Sequence, residues 1–211
     1  MSMNNPKKVS LAAVAAGAMS GVAGAARKKA VEELMAGIRD DNDKVRTEAW
    51  LGAGEVGAAA VKPLARVMSN KELEVARAAK RGLWKIVRHA GRPGAGNEKR
   101  AVVGKLVELL DDEQPVPVRR EVLWMLSEIG NRMSIKPIAA LLSNRELRED
   151  ARLVLQRIPS KGAVAALKAG LEAAPEDFKL NIAQSLRQRG EKVSGLPCVK
   201  LVPTKKTVSG E

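Results

Sequence analysis

Small and aliphatic residues recur along the chain at offsets of 0, 4, 8 and 11, the spacing of one buried face on an amphipathic helix. Five segments share the pattern and align without gaps when each is counted from its first apolar residue. Those first residues are Val45, Val75, Val118, Leu147 and Phe178. The steps between them are 30, 43, 29 and 31 residues. The pattern therefore predicts a repeated helical unit of about 30 residues.

A second helical stretch precedes each of these segments, and a short polar turn separates the two. The preceding stretches are residues 30–39, 60–68, 101–110, 135–142 and 163–173. The turns contain acids, Ser and Asn, which are good N-caps for the helix that follows. Gly57, Gly130 and Gly190 end second helices, where Gly adopts a left-handed conformation most easily. One hairpin cannot bury its own apolar face, so we predict an all-α solenoid of five stacked hairpins over residues 27–190.

The motif of the hairpins resembles HEAT repeats. A turn acid precedes Val45-Arg46, a small residue follows at Ala49, and Ile129-Gly130 ends the third hairpin. The resemblance covers roughly residues 30–190 and is clearest in the first three hairpins. It is closest to the short, Ala-rich HEAT-like repeats of bacteria, the type also found in phycobilisome bilin lyases. The resemblance implies a right-handed superhelix with second helices on the concave face, and binding or scaffolding rather than catalysis.

Three segments interrupt or flank the repeats. Residues 91–97 contain three Gly and one Pro, so we expect a flexible loop insertion there. Residues 191–211 lack a helical period and are predicted to form an extended or disordered basic tail. Residues 1–26 fit either a secretory signal cleaved near Ala25 or an Ala-rich N-terminal capping helix. We favour a cytoplasmic location, and the sequence leaves export open.

Positive charge is concentrated in one part of the chain. The net charge is +13, and residues 58–97 alone carry +7. On a helical wheel of the second hairpin, the apolar stripe of Val75, Leu83 and Ile86 lies opposite a row of cations. That row is Arg77, Arg81, Lys85, Arg88 and Arg92, with Lys80 beside it. No acid occurs between Arg77 and Arg92, so the face is a candidate docking surface for an anionic partner, and an ordinary solvated face fits the pattern as well.

Trp84 falls within this basic face, and aromatic residues flanked by Arg are typical of binding hot spots. The predicted partner-binding residues are Arg77, Lys80, Arg81, Trp84, Lys85, Arg88 and Arg120. An acidic protein surface is the leading partner, and nucleic acid is the alternative because bases stack on aromatic rings while cations contact phosphates. An ordinary charged surface with Trp84 packed between hairpins also fits. Trp50 and Trp124 are interpreted as packing between hairpins.

Most enzyme chemistry is excluded by composition. One Cys (Cys198) allows no internal disulfide, and one His (His89) excludes sites that need two histidines. Asp40, Asp41 and Asp43 are interpreted as helix-capping acids rather than a cation loop. A HEAT-like DNA glycosylase, with Glu149 as its outward carboxylate, is a remote enzyme alternative. We therefore predict no catalytic, cofactor or metal site, no small-molecule substrate and no transmembrane segment.

Overall fold

The structure, a computed structural model, describes residues 11–198, with side chains from residue 24 onward. All the regular structure in this range is helical, which confirms the all-α prediction. Its α-helices are α1 (Leu11–Ile38), α2 (Asp43–Val56), α3 (Val61–Val67), α4 (Leu73–Ala90), α5 (Gly96–Glu108), α6 (Val116–Ile129), α7 (Arg132–Ala140), α8 (Arg148–Arg157), α9 (Lys161–Ala173) and α10 (Glu176–Gln188). Short 3-10 turns precede α3 at Gly57–Ala60 and follow α7 at Leu141–Ser143. Consecutive helices pair into the five predicted hairpins.

Polar side chains cap helices both within a hairpin and between hairpins. Asn42 caps α2, since its Oδ1 accepts a hydrogen bond from the backbone N–H of Lys44 at 2.9 Å. Asn131 forms a reciprocal capping box with Ser134 at the start of α7. Such caps satisfy N–H groups that have no partner inside the helix and contribute about 1 kcal/mol each.

The described residues up to Ile129 form one compact unit that contains the first three hairpins. The second helices pack side by side, with α4 between α2 and α6. The first helices form the other layer, in which α3 contacts α1 and α5. Leu64, Leu83 and Leu106 are fully buried between the layers, so the apolar stripes meet as the sequence predicts. Gly37 lets α1 approach α2 closely, because a Cβ there would lie 2.7 Å from the Cβ of Ala49.

The described residues from Gly130 form a second compact unit that contains the last two hairpins. In it α9 contacts α7, α8 and α10, and the second helices α8 and α10 contact each other. Its core consists of Ile138, Leu155, Leu167 and Ile182, which are fully buried, together with Phe178. The unit therefore repeats the hairpin plan with apolar faces turned inward.

Several details differ from the sequence predictions. The connection after α4 is shorter than the predicted insertion at 91–97, because α5 already begins at Gly96. It is also tied down, since Arg92 donates to both carboxylate oxygens of Glu98. Gly57 and Gly190 have the predicted positive φ, at 68° and 81°, whereas Gly130 does not. Gly130 directly precedes Asn131, the N-cap of α7, and the chain does not need a left-handed residue there.

The predicted terminal segments are only partly described. Residues 1–10 and 199–211 lie outside the described residues, so the signal peptide and most of the tail stay predictions. From Leu11 the backbone is one continuous helix with the first helix of the first hairpin. Of the helices that the structure describes, none has the length and apolarity needed to cross a bilayer.

Candidate partner-binding groove

The amphipathic sequence of α4 positions the candidate site. Val75, Leu83 and Ile86 are buried in the core, as the wheel predicts. Because side chains four residues apart share a helical face, Arg77 and Arg81 project to the opposite side and are exposed. The burial of one face therefore fixes the direction in which the other presents its cations.

A groove of about 380 Å³ runs along this exposed face. We call it the α2–α4 groove, and its lining residues are Trp50 of α2 with Arg77, Lys80, Arg81, Trp84, Lys85 and Arg88 of α4. The structure thus brings together six of the seven residues predicted from the sequence. The seventh, Arg120, is exposed on α6 and does not line the groove. Arg92, at the end of the predicted row, bonds to Glu98 instead.

Trp84 is half-buried and held in place by a residue from another hairpin. Its indole Nε1 donates a hydrogen bond to Oε1 of Glu121 on α6, at 2.6 Å. The guanidinium of Arg88 lies 5.6 Å from the centre of the ring, within cation–π range. The indole is therefore fixed at its N–H edge while the ring contributes to the groove.

Trp50 is the residue that sequence reasoning missed. It was interpreted as packing between hairpins, and it is half-buried, yet it also forms the α2 side of the groove. Arg81 reaches over its ring at 5.7 Å. Two Arg–Trp pairs, one across the helix pair and one within α4, thus line the groove. A wheel of α2 alone lacks the signal, because the neighbouring Arg81 belongs to the next hairpin.

The acid-free interpretation of this face is wrong for its edges. Glu121, from α6, places Oε2 at 2.6 Å from Nζ of Lys80. Glu74, one turn before the row, pairs with Arg77 at 2.7 Å. These acids neutralise the two cations nearest the N-terminal end and the α6 side of the groove. Glu74 precedes Arg77 on α4 and Glu121 lies on α6, so neither acid falls in the stretch from Arg77 to Arg92.

Three cations of the groove have no acidic partner among the residues that the structure describes. Within the part of the chain that the structure describes, no carboxylate lies within ion-pair distance of Arg81, Lys85 or Arg88. Arg81 and Arg88 are exposed and Lys85 is half-buried. Like charges spaced three and four residues apart on a helix repel by a few tenths of a kcal/mol per pair. The centre of the groove is therefore a positively charged surface with two indoles beside it.

Among the described residues, no group of three or more His, Cys, Asp or Glu side chains is placed to hold a metal ion. His89 lies between two glutamates, 3.8 Å from Glu55 and 3.6 Å from Glu98. The pKa of Glu98 is held below its usual range, chiefly because Arg92 donates hydrogen bonds to its carboxylate. Cys198 is an exposed free thiol. None of these groups lines the α2–α4 groove.

The hairpin fold and an open groove on second helices define a helical-repeat scaffold of the kind that commonly mediates protein interaction. A family model described as HEAT repeats matches residues 94–193. This stretch of the chain is therefore similar to HEAT repeats, as the sequence resemblance implies. The match covers the third to fifth hairpins, whereas the motif is clearest to the eye in the first three. The groove lies before the matched range, on hairpins of the same plan.

Comparison with individual proteins adds little. Among solved structures, the crystal structure of an engineered protein is 22% identical, over 75% of this chain and 78% of that chain, with a TM-score of 0.40. No curated protein is significantly similar to the chain.

Proposed function

We propose that this chain is a noncatalytic HEAT-repeat scaffold that binds an acidic protein surface in the α2–α4 groove. One observation carries the proposal: Arg81, Lys85 and Arg88 stand together in the groove without a carboxylate partner among the described residues. A partner carboxylate relieves the repulsion among them. Complementary charge of this kind also speeds association and selects against basic partners.

The two indoles supply the apolar part of the surface. Trp and Arg are the residues most enriched at interface hot spots, because they combine large contact area with defined geometry. Trp84 has little freedom to lose on binding, since Glu121 already holds its N–H edge. Fixed side chains lose less conformational entropy when a partner docks. The groove therefore offers a partner both charge and a preformed apolar contact.

Nucleic acid is the alternative partner, because the groove also combines aromatic rings with cations. Stacking of a base on either ring would have to displace the guanidinium that lies over it, Arg81 from Trp50 or Arg88 from Trp84. This competition favours carboxylates, which bond to the guanidiniums where they stand.

A glycosylase is disfavoured by the state of the carboxylates. Glu121 beside the groove already accepts from Trp84 and Lys80. Glu149, the other candidate, accepts from Arg152 and Asn181. A catalytic carboxylate needs to be available to the reacting atoms. The groove therefore fits binding rather than base excision.

The test is reversal of the unmatched charge. We expect the triple variant R81E/K85E/R88E to weaken binding of a fluorescent polyglutamate peptide by at least about 30-fold, measured by anisotropy. These side chains are not in the core, so circular dichroism should show unchanged helicity. A triple variant that binds as tightly as the wild type would overturn the proposal.

A matched control separates the groove from the general basicity of the chain. Lys44, Lys71 and Arg100 are exposed in the same unit and do not line the groove. K44E/K71E/R100E makes the same change in net charge, and we expect it to weaken peptide binding by no more than about threefold. A single-stranded oligonucleotide should lose affinity equally in both triple variants. The nucleic-acid alternative would be favoured if the groove variant alone lost affinity for the oligonucleotide while the peptide bound both triple variants equally.

A further inference from the structure

The unmatched cations follow a helical spacing. Arg81, Lys85 and Arg88 are separated by four and three residues on α4. At a rise of 1.5 Å per residue, Lys85 lies about 6 Å and Arg88 about 10.5 Å from Arg81 along the helix axis. Because all three residues lie on one helix, this spacing is a fixed feature of the groove. The guanidiniums of the outer two lie over the rings of Trp50 and Trp84.

This spacing discriminates between two forms of an acidic partner. An extended segment places side chains of one face about 6.7 Å apart, so its third carboxylate lies about 13 Å from the first. The first two carboxylates of such a segment would match Arg81 and Lys85, but the third would lie beyond Arg88. A helix with acids four and seven residues apart has the same rise as α4 and meets all three. A partner helix in the opposite direction meets them with acids three and seven residues apart.

The groove has the length that such a helix needs. From Arg77 to Arg88 it follows α4 for eleven residues, or about 16 Å. About three turns of a partner helix cover this distance. Helices pack with axes 8–10 Å apart, which leaves room for an apolar side chain against the indoles of Trp50 and Trp84.

We infer that the occupant of the α2–α4 groove is an acidic amphipathic helix that lies along α4. Its carboxylates, at positions i, i+3 or i+4, and i+7, pair with Arg81, Lys85 and Arg88. An apolar residue beside that row contacts the two indoles. The inference rests on the proposed function and specifies the shape of the acidic partner.

Three synthetic peptides of matched charge test the inference by anisotropy and circular dichroism. The first carries Glu at i, i+3, i+4 and i+7 with Leu beside them in an Ala-rich sequence, so that it fits either direction. The second has the same composition, with the Glu residues distributed around the helix. The third keeps the first pattern but has Pro at its centre, which breaks the helix. We expect the first to bind at least about tenfold tighter than the others and to gain helicity when bound.

A charge exchange at the central cation tests the register. Lys85→Glu should weaken the first peptide about tenfold, and a peptide with Lys at i+3 and i+4 should recover most of that loss. A matched exchange at Lys71, outside the groove, should show no such recovery.

The outcomes separate the two proposals. If all three peptides bind within about twofold of one another and lose affinity in the R81E/K85E/R88E variant, the helix inference is wrong and the acidic-partner proposal stands. If neither these peptides nor polyglutamate depend on the groove, both are wrong.

Discussion

The second helices present two different surfaces in the two units. In the first unit, three cations of the α2–α4 groove have no acid within ion-pair distance among residues 24–198. In the second unit a groove of about 440 Å³ lies on the corresponding helices, and we call it the α8–α10 groove. Its lining residues are Glu149, Arg152, Leu180, Asn181, Gln184, Arg187 and Pro197. Both grooves contain arginines, so the comparison depends on what each arginine contacts.

The arginines of the α8–α10 groove bond within the chain. Arg152 is 8% exposed and donates to Glu149, to Oγ of Ser185 at 2.5 Å and to Gln156. Arg187 donates to backbone carbonyls of the segment after α10, with Leu196 O at 2.5 Å. These groups stabilise the unit, whereas the guanidiniums of Arg81 and Arg88 lie over indole rings and have no carboxylate partner in the part of the chain that the structure describes. The difference teaches that positive charge on this face is structural in one unit and available to a partner in the other.

Replacing one arginine of each groove with Met should give the largest difference in stability between the two units. Arg152→Met should lower the free energy of unfolding by about 2–4 kcal/mol, because it removes the donor to three polar groups. Arg81→Met should cost less than about 1 kcal/mol, the value of an exposed cation–π contact. Urea denaturation followed by circular dichroism measures both.

The tryptophans identify which unit is affected. Trp50, Trp84 and Trp124 all lie in the first unit, so their fluorescence reports its unfolding. Arg152→Met should shift the dichroism transition more than the fluorescence transition. Equal losses of stability in the two variants would contradict the distinction between a structural and an available arginine.

A smaller effect is expected from pH, through Glu149. Its pKa lies below the usual range, chiefly because Arg152 donates hydrogen bonds to it, with Asn181 adding to the effect. A carboxyl with a lowered folded pKa stabilises the protein above its unfolded pKa of about 4.3, and that stability is lost as pH falls through the folded pKa. Glu149→Gln should therefore cost up to about 1 kcal/mol at neutral pH, the range for partly exposed pairs.

The measurement is urea denaturation of wild type and Glu149→Gln across a series of pH values. The difference between them should shrink as pH falls through the lowered folded pKa of Glu149, because the wild-type carboxyl then becomes protonated. A difference that stays constant over this range would mean that the charge of Glu149 contributes nothing to the α8–α10 groove.

The sequence predicted those features that depend on one helix at a time. The apolar stripe through Val75, Leu83 and Ile86 and the opposite row of cations both follow from the period of a helix. Caps such as Asn42 were predictable because they act on residues two or three positions away. The hairpin plan then follows from the need to bury each stripe.

Features that join hairpins were not predictable from the pattern. Trp50 enters the groove from α2 and Glu121 from α6, and Trp84 and Glu121 are 37 residues apart in sequence. Their positions depend on the rotation of each hairpin relative to the next, which a wheel of one helix does not contain. Arg120, an outward position of the third hairpin, is predicted for this face and does not line the groove for the same reason.

The smallest expected effect concerns the acid that borders the α2–α4 groove. Glu121→Gln keeps an oxygen that accepts from the N–H of Trp84 but removes the negative charge beside Lys80. If unmatched positive charge drives binding there, one more unmatched cation should raise the affinity for polyglutamate about two- to threefold. Glu113→Gln makes the same charge change on an exposed turn outside the groove and should leave the affinity nearly unchanged. If Glu121→Gln bound polyglutamate no more tightly than the wild type, the positive charge of the α2–α4 groove would not drive binding, and the groove would resemble the α8–α10 groove in this respect.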